Sequence, residues 1–377
     1  MKIEKIGEPK VIMSNPGSVH NYFAWPSVTR LQNGKLAVVA SGFRLGHVCP
    51  FGKLVISYSE NEGETYTAPA PIIDTVLDDR DGGIATFGTD GVIVTSFNNK
   101  VQMQKDNLKQ REKLNYEVEN IPYCQNYLDM ISEEAEQAAL GSEYRISTDG
   151  GVTFGPIYRS PVTSPHGPIE LQDGTVLWVG RTFNEDSTVD GEEEGVKAYK
   201  INLDGTMERL GEIKEPRDEQ GALLGQFHEP YAFQLEVGTI LCHLRIEPTF
   251  TTYQSESYDG GKTWTKAYPL LPDRGGAPAH IMEHSSGVLI SVYGYRTPPK
   301  GGIRVMFSTD GGKTWDVDHI LYENELNPVD LGYPATVELD DVTLLTVFYA
   351  HEDDGKSYND PGQGPTVIWQ QKWRIVE

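Results

Sequence analysis

Residues able to do chemistry recur at one offset along this 377-residue chain. About nine residues before each of six turns, most of them built on Gly, stand Trp25, Asp81, His166, Glu229, Pro278 (with His280 close by) and Tyr333. Seven to ten residues after the same turns stand Arg44, Asn98, Arg181, Arg245, Arg296 and His351. Gathered into one ring, these sets bring together four arginines, several histidines, two carboxylates and a tyrosine. Such groups at strand ends cost desolvation unless something uses them. Guanidinium forks hold carboxylates bidentately, carboxyl and imidazole groups carry protons, and a carboxylate beside a phenol can act as its base.

Several of these residues stand in telling company. Asp78-Asp79-Arg80-Asp81 is a dense charge run at a strand start. A solvated face would explain it, but Asp81 falls on the ring offset, which leaves a catalytic acid or substrate contacts from Asp79, Arg80 and Asp81 open. His47 follows Arg44 in the loop 43–52, as a brace for the loop or as a working histidine. His228-Glu229-Pro230 precedes Arg245 by sixteen residues counted from Glu229. His166 and His280 occupy corresponding positions, which favours pocket lining over accident.

The elements that must position these residues repeat. Alternating apolar runs break and resume at Gly34, Gly91, Gly174, Gly238, Gly287 and Val342. Asn-Gly and Asp-Gly between apolar runs predict hairpins with type I′ turns. Interleaved with them is a second pattern, Ser-x-Asp-x-Gly-x-Thr-aromatic, at 59–66 (with Asn61 for Asp), 147–154, 257–264 and 308–315, with an eroded copy from Asn202 to Thr206. From Ser147 to Asn202 and from Asn202 to Ser257 are both 55 residues, and from Ser257 to Ser308 is 51. Six four-stranded units of this length predict an all-β, six-bladed β-propeller, one domain over 1–377. If the Gly turns join first to second strands at the bottom, the ring of polar residues lines the top of a central funnel. The loops 45–52, 182–195, 298–302 and 352–364 then share that side. Residues 101–141, rich in Gln, Glu, Lys and Leu, predict a helical insertion in the second blade, split by Pro122 and bordering the funnel.

The Ser-x-Asp boxes resemble the Asp-box (BNR) repeats of the sialidase superfamily, whose members are six-bladed propellers. The boxes themselves are turn devices, in which Asp accepts backbone N–H bonds and Gly takes a left-handed φ. Gly332-Tyr333-Pro334 is similar to the segment that carries the family's nucleophilic tyrosine. His228-Glu229 followed by Arg245 looks like the pair that activates that tyrosine and binds the substrate carboxylate. The resemblance implies an exo-acting glycoside hydrolase with Tyr333 as nucleophile, Glu229 as its base, and Asp81 or His47 as the acid on the leaving oxygen. Trp25, Arg44, Asp79, Arg80, His166, Arg181, His228, Arg245, His280 and Arg296 would contact a small glycoside, with no metal or cofactor. The family's first clamp arginine opens an Arg-Ile-Pro triplet; here the triplet is Ala24-Trp25-Pro26. Its acid/base Asp lies in a loop that here reads His47-Val-Cys-Pro-Phe51. A standard sialoside is therefore not the expected substrate, and Trp25 offers a face for sugar stacking. Two other readings remain: a glycan-binding propeller without catalysis, and a polysaccharide lyase using His166 or His228 as base.

Composition narrows the partners. Thirty-two basic against 55 acidic residues leave a net charge of −23, which disfavours nucleic acid and anionic membrane surfaces. No apolar run approaches a bilayer span, and the first ten residues lack the apolar core of a secretory signal, so a cytoplasmic location is expected unless a signal has been removed. Self-association through the 101–141 insertion is a further expectation. Cys49, Cys124 and Cys242, an odd set without short paired spacing, predict neither a disulfide framework nor a zinc site.

Overall fold

The repeated turns form hairpins, though not of the predicted type. At 31–35, Leu31 N–H donates to Lys35 O at 2.8 Å and Gly34 N–H donates to Leu31 O at 2.9 Å. Gly34 carries the positive φ of this turn, 84°. The loop is thus a three-residue type I turn closed by a glycine bulge, rather than a two-residue type I′ turn. The same bond pair recurs at Leu171/Thr175, Leu235/Thr239, His284/Val288 and Leu339/Thr343. One left-handed residue suffices for this geometry, and Gly meets the demand without a Cβ clash. The last copy has Val342 there instead, at φ 60°. The second copy differs as well: Gly88 takes the positive φ and Gly91 already opens the next strand.

We describe residues 1–116, 118–183, 194–271, 278–353 and 365–376 of a computed structural model. The expected loops 182–195 and 352–364 thus lie largely outside the described residues. Among the described residues the strands form five sheets. Three are four-stranded meanders, led by Asp78–Phe87, Gln226–Gln234 and Ala279–Glu283. A fourth has its first strand broken into Val162–Thr163 and Ile169–Glu170, both paired with Val176–Thr182. The eight-stranded fifth contains two four-stranded runs, led by Tyr22–Arg30 and Gly332–Glu338, which meet at the parallel pair Tyr22–Thr366. Its last member is the amino-terminal strand Lys2–Met13, zipped antiparallel onto Thr366–Val376 with Lys2 opposite Val376. The two chain ends therefore complete one sheet together.

Apolar side chains pack between successive runs. Leu31, Val39 and Leu54 of one meet Ile84 and Val94 of the next. Tyr144 and Ile146 meet Trp178 and Tyr199; Leu177 and Val196 meet Phe227 and Leu244. Val305 and Phe307 meet Phe348 and Trp373. Finally Tyr333 and Val347 of the last run meet Phe23, Trp25 and Val38 of the first. The core is thus an annulus of inter-sheet layers, a propeller arrangement, with the leading strand of each run turned to the axis.

The insertion is helical, in three pieces instead of two: α1 (Val101–Leu114), α2 (Ile121–Met130) and α3 (Glu133–Ala139). Pro122 sits in the first turn of α2, where its missing N–H costs nothing, so it starts a helix and does not split one. Val101 and Leu108 of α1, with Cys124 and Leu128 of α2, close a small core on Leu45, Cys49 and Leu77. The helices therefore buttress the loop that carries His47.

Candidate active site

The ring offset read from the sequence corresponds to one repeated backbone distortion. Trp25, Asp81, His166, Glu229 and Tyr333 all adopt left-handed φ, between 46° and 66°. Four of them lie within a slip of strand register: Ala24/Ser27, Arg80/Gly83, His228/Tyr231 and Gly332/Ala335. A bulge re-aims one side chain off the pleat, here toward the axis. Each left-handed L-residue costs roughly 1–2 kcal/mol. Such strain at a shared position is characteristic of functional sites.

Tyr333 and Glu229 meet across the axis, the phenol O–H donating to Glu229 Oε1. The other oxygen, Oε2, lies 2.7 Å from Arg245 Nη1, and Arg245 also grips Glu247. Burial, then the charges of Glu229 and Asp81, hold the Tyr333 phenol well above its ordinary value of 10. The phenol is thus protonated at rest. Arg296 lies 5.5 Å over the Tyr333 ring, fixed by Leu331 O at 2.7 Å and the Tyr349 hydroxyl at 3.0 Å.

Asp81 is 7% exposed, and burial pushes its carboxyl up to about 7 against the pull of Arg80, with Glu229 adding to the rise. It can therefore hold a proton near neutrality beside a phenol and a carboxylate.

His47 half-emerges over this group. Its Nδ1 lies 3.1 Å from Asp330 Oδ1, and Asp330 also accepts from the Tyr22 and Tyr349 hydroxyls at 2.8 and 3.0 Å. His47 and these donors hold the Asp330 carboxyl well below the carboxylate range, despite burial. An ionised Asp330 can only accept, so Nδ1 carries the His47 proton and Nε2 presents a lone pair. Burial lowers the His47 pKa against the pull of Asp330, and Arg80 and Arg44 oppose its charge. A lowered pKa favours the neutral imidazole, whose Nε2 has no proton to give to a leaving oxygen. Asp330 and Tyr349 were missed in the sequence. Tyr349 stands seven residues after Val342, the same offset that selects Asn98, Arg181 and Arg245.

Several expected substrate contacts turn out to be internal. Trp25 is 1% exposed, with the Arg80 guanidinium 4.1 Å and that of Arg44 4.8 Å from its ring centre, so no face is open for a sugar. Arg44 is wholly buried, paired with Asp78 at 2.6 Å and bonded to Ser41 Oγ and the carbonyls of Gly46 and His47. Asp79 is likewise buried, accepting from Thr75 N–H, Thr75 Oγ1 and Asn98 Nδ2. Arg80 does reach the site, donating to His47 O at 2.7 Å. Ala24 is fully buried in the core. Arg181 binds Glu215, Glu194 and Phe227 O beside a rim cleft lined by Phe97, Met103 and Phe183. His228 also lies on the rim, 3.9 Å from Glu247. His166, bonded to Ser27 Oγ at 2.7 Å, and His280, stacked on Tyr231, pack together in the channel wall. His280 faces a cavity of about 450 Å³ that also takes in Val28, Phe233 and Glu338 at the strand ends away from Tyr333.

The Ser-x-Asp segments form one turn, copied. In the second, Asp149 accepts from Thr153 N–H at 2.9 Å and Thr153 Oγ1 at 2.6 Å, while Ser147 Oγ accepts from Gly151 N–H at 2.9 Å. Asp259 with Ser257, and Asp310 with Ser308, repeat these bonds. None of these turns touches the Tyr333 group.

This fold and these turns have relatives. Residues 130–347 match the BNR repeat-like domain, more than half of the chain, and the protein belongs to that family. No curated protein matches it by sequence. Among solved structures it is similar to a protein of unknown function from Dyadobacter fermentans, with a TM-score of 0.71 and 21% identity over 99% of both chains. A sialidase of Streptococcus pneumoniae superposes at a TM-score of 0.65 and 12% identity, over 98% of this chain and 71% of that one. An α-L-arabinanase of Penicillium chrysogenum does so at 0.59 and 12%, over 98% of both chains. At these identities the likeness is one of fold: a sialidase-like propeller.

Proposed function

We propose that this protein is an exo-acting glycoside hydrolase on a six-bladed propeller, the eight-stranded sheet counting as two blades. The observation that carries the reading is the group Tyr333–Glu229–Arg245 with a proton-holding Asp81 beside it. In this scheme Tyr333 attacks the anomeric carbon while its proton passes to Glu229 Oε1. Once the phenol oxygen is bonded to carbon, Tyr333 and protonated Glu229 are neutral and the negative charge rests on Asp81, so Arg245 and Arg296 act on the phenolate character that develops on the way. Asp81 gives its proton to the leaving oxygen, then takes one from the water that releases the sugar. A phenol, unlike a carboxylate, meets no like-charge repulsion from an acidic group at the anomeric carbon.

The same arrangement argues for a substrate other than a standard sialoside. Ala24 stands where a first clamp arginine would be, and Arg44 and Trp25 are already engaged. Arg80, Arg245 and Arg296 remain for an acidic group or for sugar hydroxyls. His166, buried and bonded to Ser27, has little access to a ring proton, which leaves the lyase reading only His228 as base.

A panel of aryl glycosides, comprising sialosides, uronides, deoxy sugars and neutral hexosides, tests the proposal. Turnover of a non-sialoside that disappears in Tyr333→Phe is the expected result. No turnover of any member would favour a glycan-binding protein, and exclusive cleavage of sialosides would return it to the ordinary sialidases.

A further inference from the structure

Two of the three cysteines come together although 75 positions separate them (124 − 49). Cys49 belongs to the loop between Leu36–Arg44 and Lys53–Ser59, and Cys124 to the first half of α2. Both are wholly buried in the small core that joins the insertion to the propeller. They pack within that one small cluster, near enough for the Cys124 side chain to act on the Cys49 thiol. Cys49 Sγ also accepts from Leu45 N–H at 3.2 Å. Cys242, the third, is buried elsewhere, between the sheets led by Val162–Thr163 and Gln226–Gln234.

The surroundings distinguish the two sulfurs. The Cys49 thiol is lowered, against its burial, by the Cys124 bond, the Arg44 charge and the Leu45 N–H, while Asp78 opposes. The surroundings thus favour Cys49 as the attacking sulfur, with Cys124 beside it to resolve the product. The cover over the pair is thin. Among the residues of α2 only Cys124 and Leu128 are buried, and Tyr123, stacked on Phe51 at 4.7 Å, is itself 53% exposed. Local opening of one short helix would admit an oxidant as small as peroxide.

We propose that Cys49 and Cys124 are the site of a reversible disulfide that fastens the helical insertion to the loop carrying His47. With hydrogen peroxide as oxidant, the Cys49 thiolate attacks one oxygen, the O–O bond breaks, and hydroxide leaves a sulfenic acid. The Cys124 sulfur then attacks that sulfenic sulfur; the S–O bond breaks and water departs with the thiol proton. A dithiol restores both thiols by exchange. Because His47 O accepts from both Arg44 and Arg80, the bond would tie the insertion to the rim of the site. The inference is independent of the glycosidase reading.

The test treats the native full-length protein with hydrogen peroxide, alkylates the remaining thiols in denaturant, and maps peptides by mass spectrometry. The expected product joins the Cys49 and Cys124 peptides with loss of two hydrogen masses, disappears on adding dithiothreitol, and leaves Cys242 alkylated. Hydrogen exchange in 45–52 and in α2 should slow in the oxidised form. Cys242→Ser should retain the cross-link, and Cys124→Ala should leave a sulfenic acid on Cys49 that dimedone traps. Full alkylation of both cysteines after peroxide, further oxidation of Cys49 without a cross-link, or a bond involving Cys242 would overturn the proposal. The wild-type map decides this even if a variant fails to fold.

Discussion

Tyr333 and Glu229, 104 residues apart, share nearly the same left-handed backbone, φ 48° and 49°, and the phenol of one donates to the carboxylate of the other. Each residue leads its own sheet, so this contact across the axis reports the closure of the ring. If it is also the reacting pair, Tyr333→Phe and Glu229→Gln should each lower kcat by roughly 10²–10⁴, with smaller changes in KM. The double variant should lose little more than either alone, because the two act as a unit. Additive losses would argue that they work separately.

The second expectation concerns Asp81. Its carboxyl is raised to about 7, so the acid form is present below that value and lost above it. Turnover of a glycoside with a poor leaving group should therefore fall as pH rises through about 7. Asp81→Asn should abolish this limb and cost roughly 10²–10⁴ in kcat, while an activated aryl leaving group should recover much of the rate. A pH limb that persists unchanged in the variant would assign it to another group.

Stability should show a related dependence from a different pair. Burial, with Asp79 beside it, raises Glu143 to about 8 from 4.5, against the pull of Arg159, and burial raises Asp79 to about 7 from 3.8. The folded state therefore holds protons that the unfolded chain has released. The contribution is complete below about 4 and is lost as pH rises through about 7 to 8. Glu143→Gln keeps an acceptor for Arg159 and removes the titration. Its unfolding free energy, relative to wild type, should improve on going from pH 5 to pH 9, by an amount on the order of 2–4 kcal/mol. No pH dependence in that difference would contradict the assignment.

Val342 occupies the turn position that Gly34, Gly174, Gly238 and Gly287 fill in sister turns, at φ 60° and half exposed. A left-handed β-branched residue costs roughly 1–2 kcal/mol or more. Gly would give back about 0.5–1 kcal/mol through unfolded-chain entropy. Val342→Gly should thus stabilise by up to about 1 kcal/mol, read as a raised denaturation midpoint at unchanged m-value. A lower midpoint would mean that Val342 makes contacts worth more than its strain.

The Ser-x-Asp turns should matter for folding alone. Ser257 is fully buried, and its hydroxyl accepts from Gly261 N–H and donates to Asp259. Ser257→Ala leaves that N–H without an acceptor, at a cost of about 1–3 kcal/mol. Kinetic constants per folded molecule should stay within a factor of about two, since all the turn's bonds are local. A specific loss of turnover at full stability would give these turns a catalytic role.

Local periodicity and spacing were enough to read the propeller class, the turn positions, the helical insertion and the ring of offsets holding Asp81, Glu229, Tyr333, Arg245 and Arg296. Each depends on interactions within a few residues: alternation along a strand, a glycine where φ must be positive, a serine and an aspartate closing a turn. The sequence could not show which ring members face the axis open and which are consumed. Trp25 shares the offset of Tyr333, and Arg44 falls in the same set as Arg245, yet they are internal because Asp78 and Arg80, from the neighbouring sheet, cover them. Desolvation and pairing across sheets decide this, and both depend on residues far away in sequence. The same holds for Asp330 under His47, for the amino-terminal strand that completes the last sheet, and for Cys49 against Cys124. These pairings arise only when the ring closes, since each joins groups whose separation along the chain carries no periodic signal.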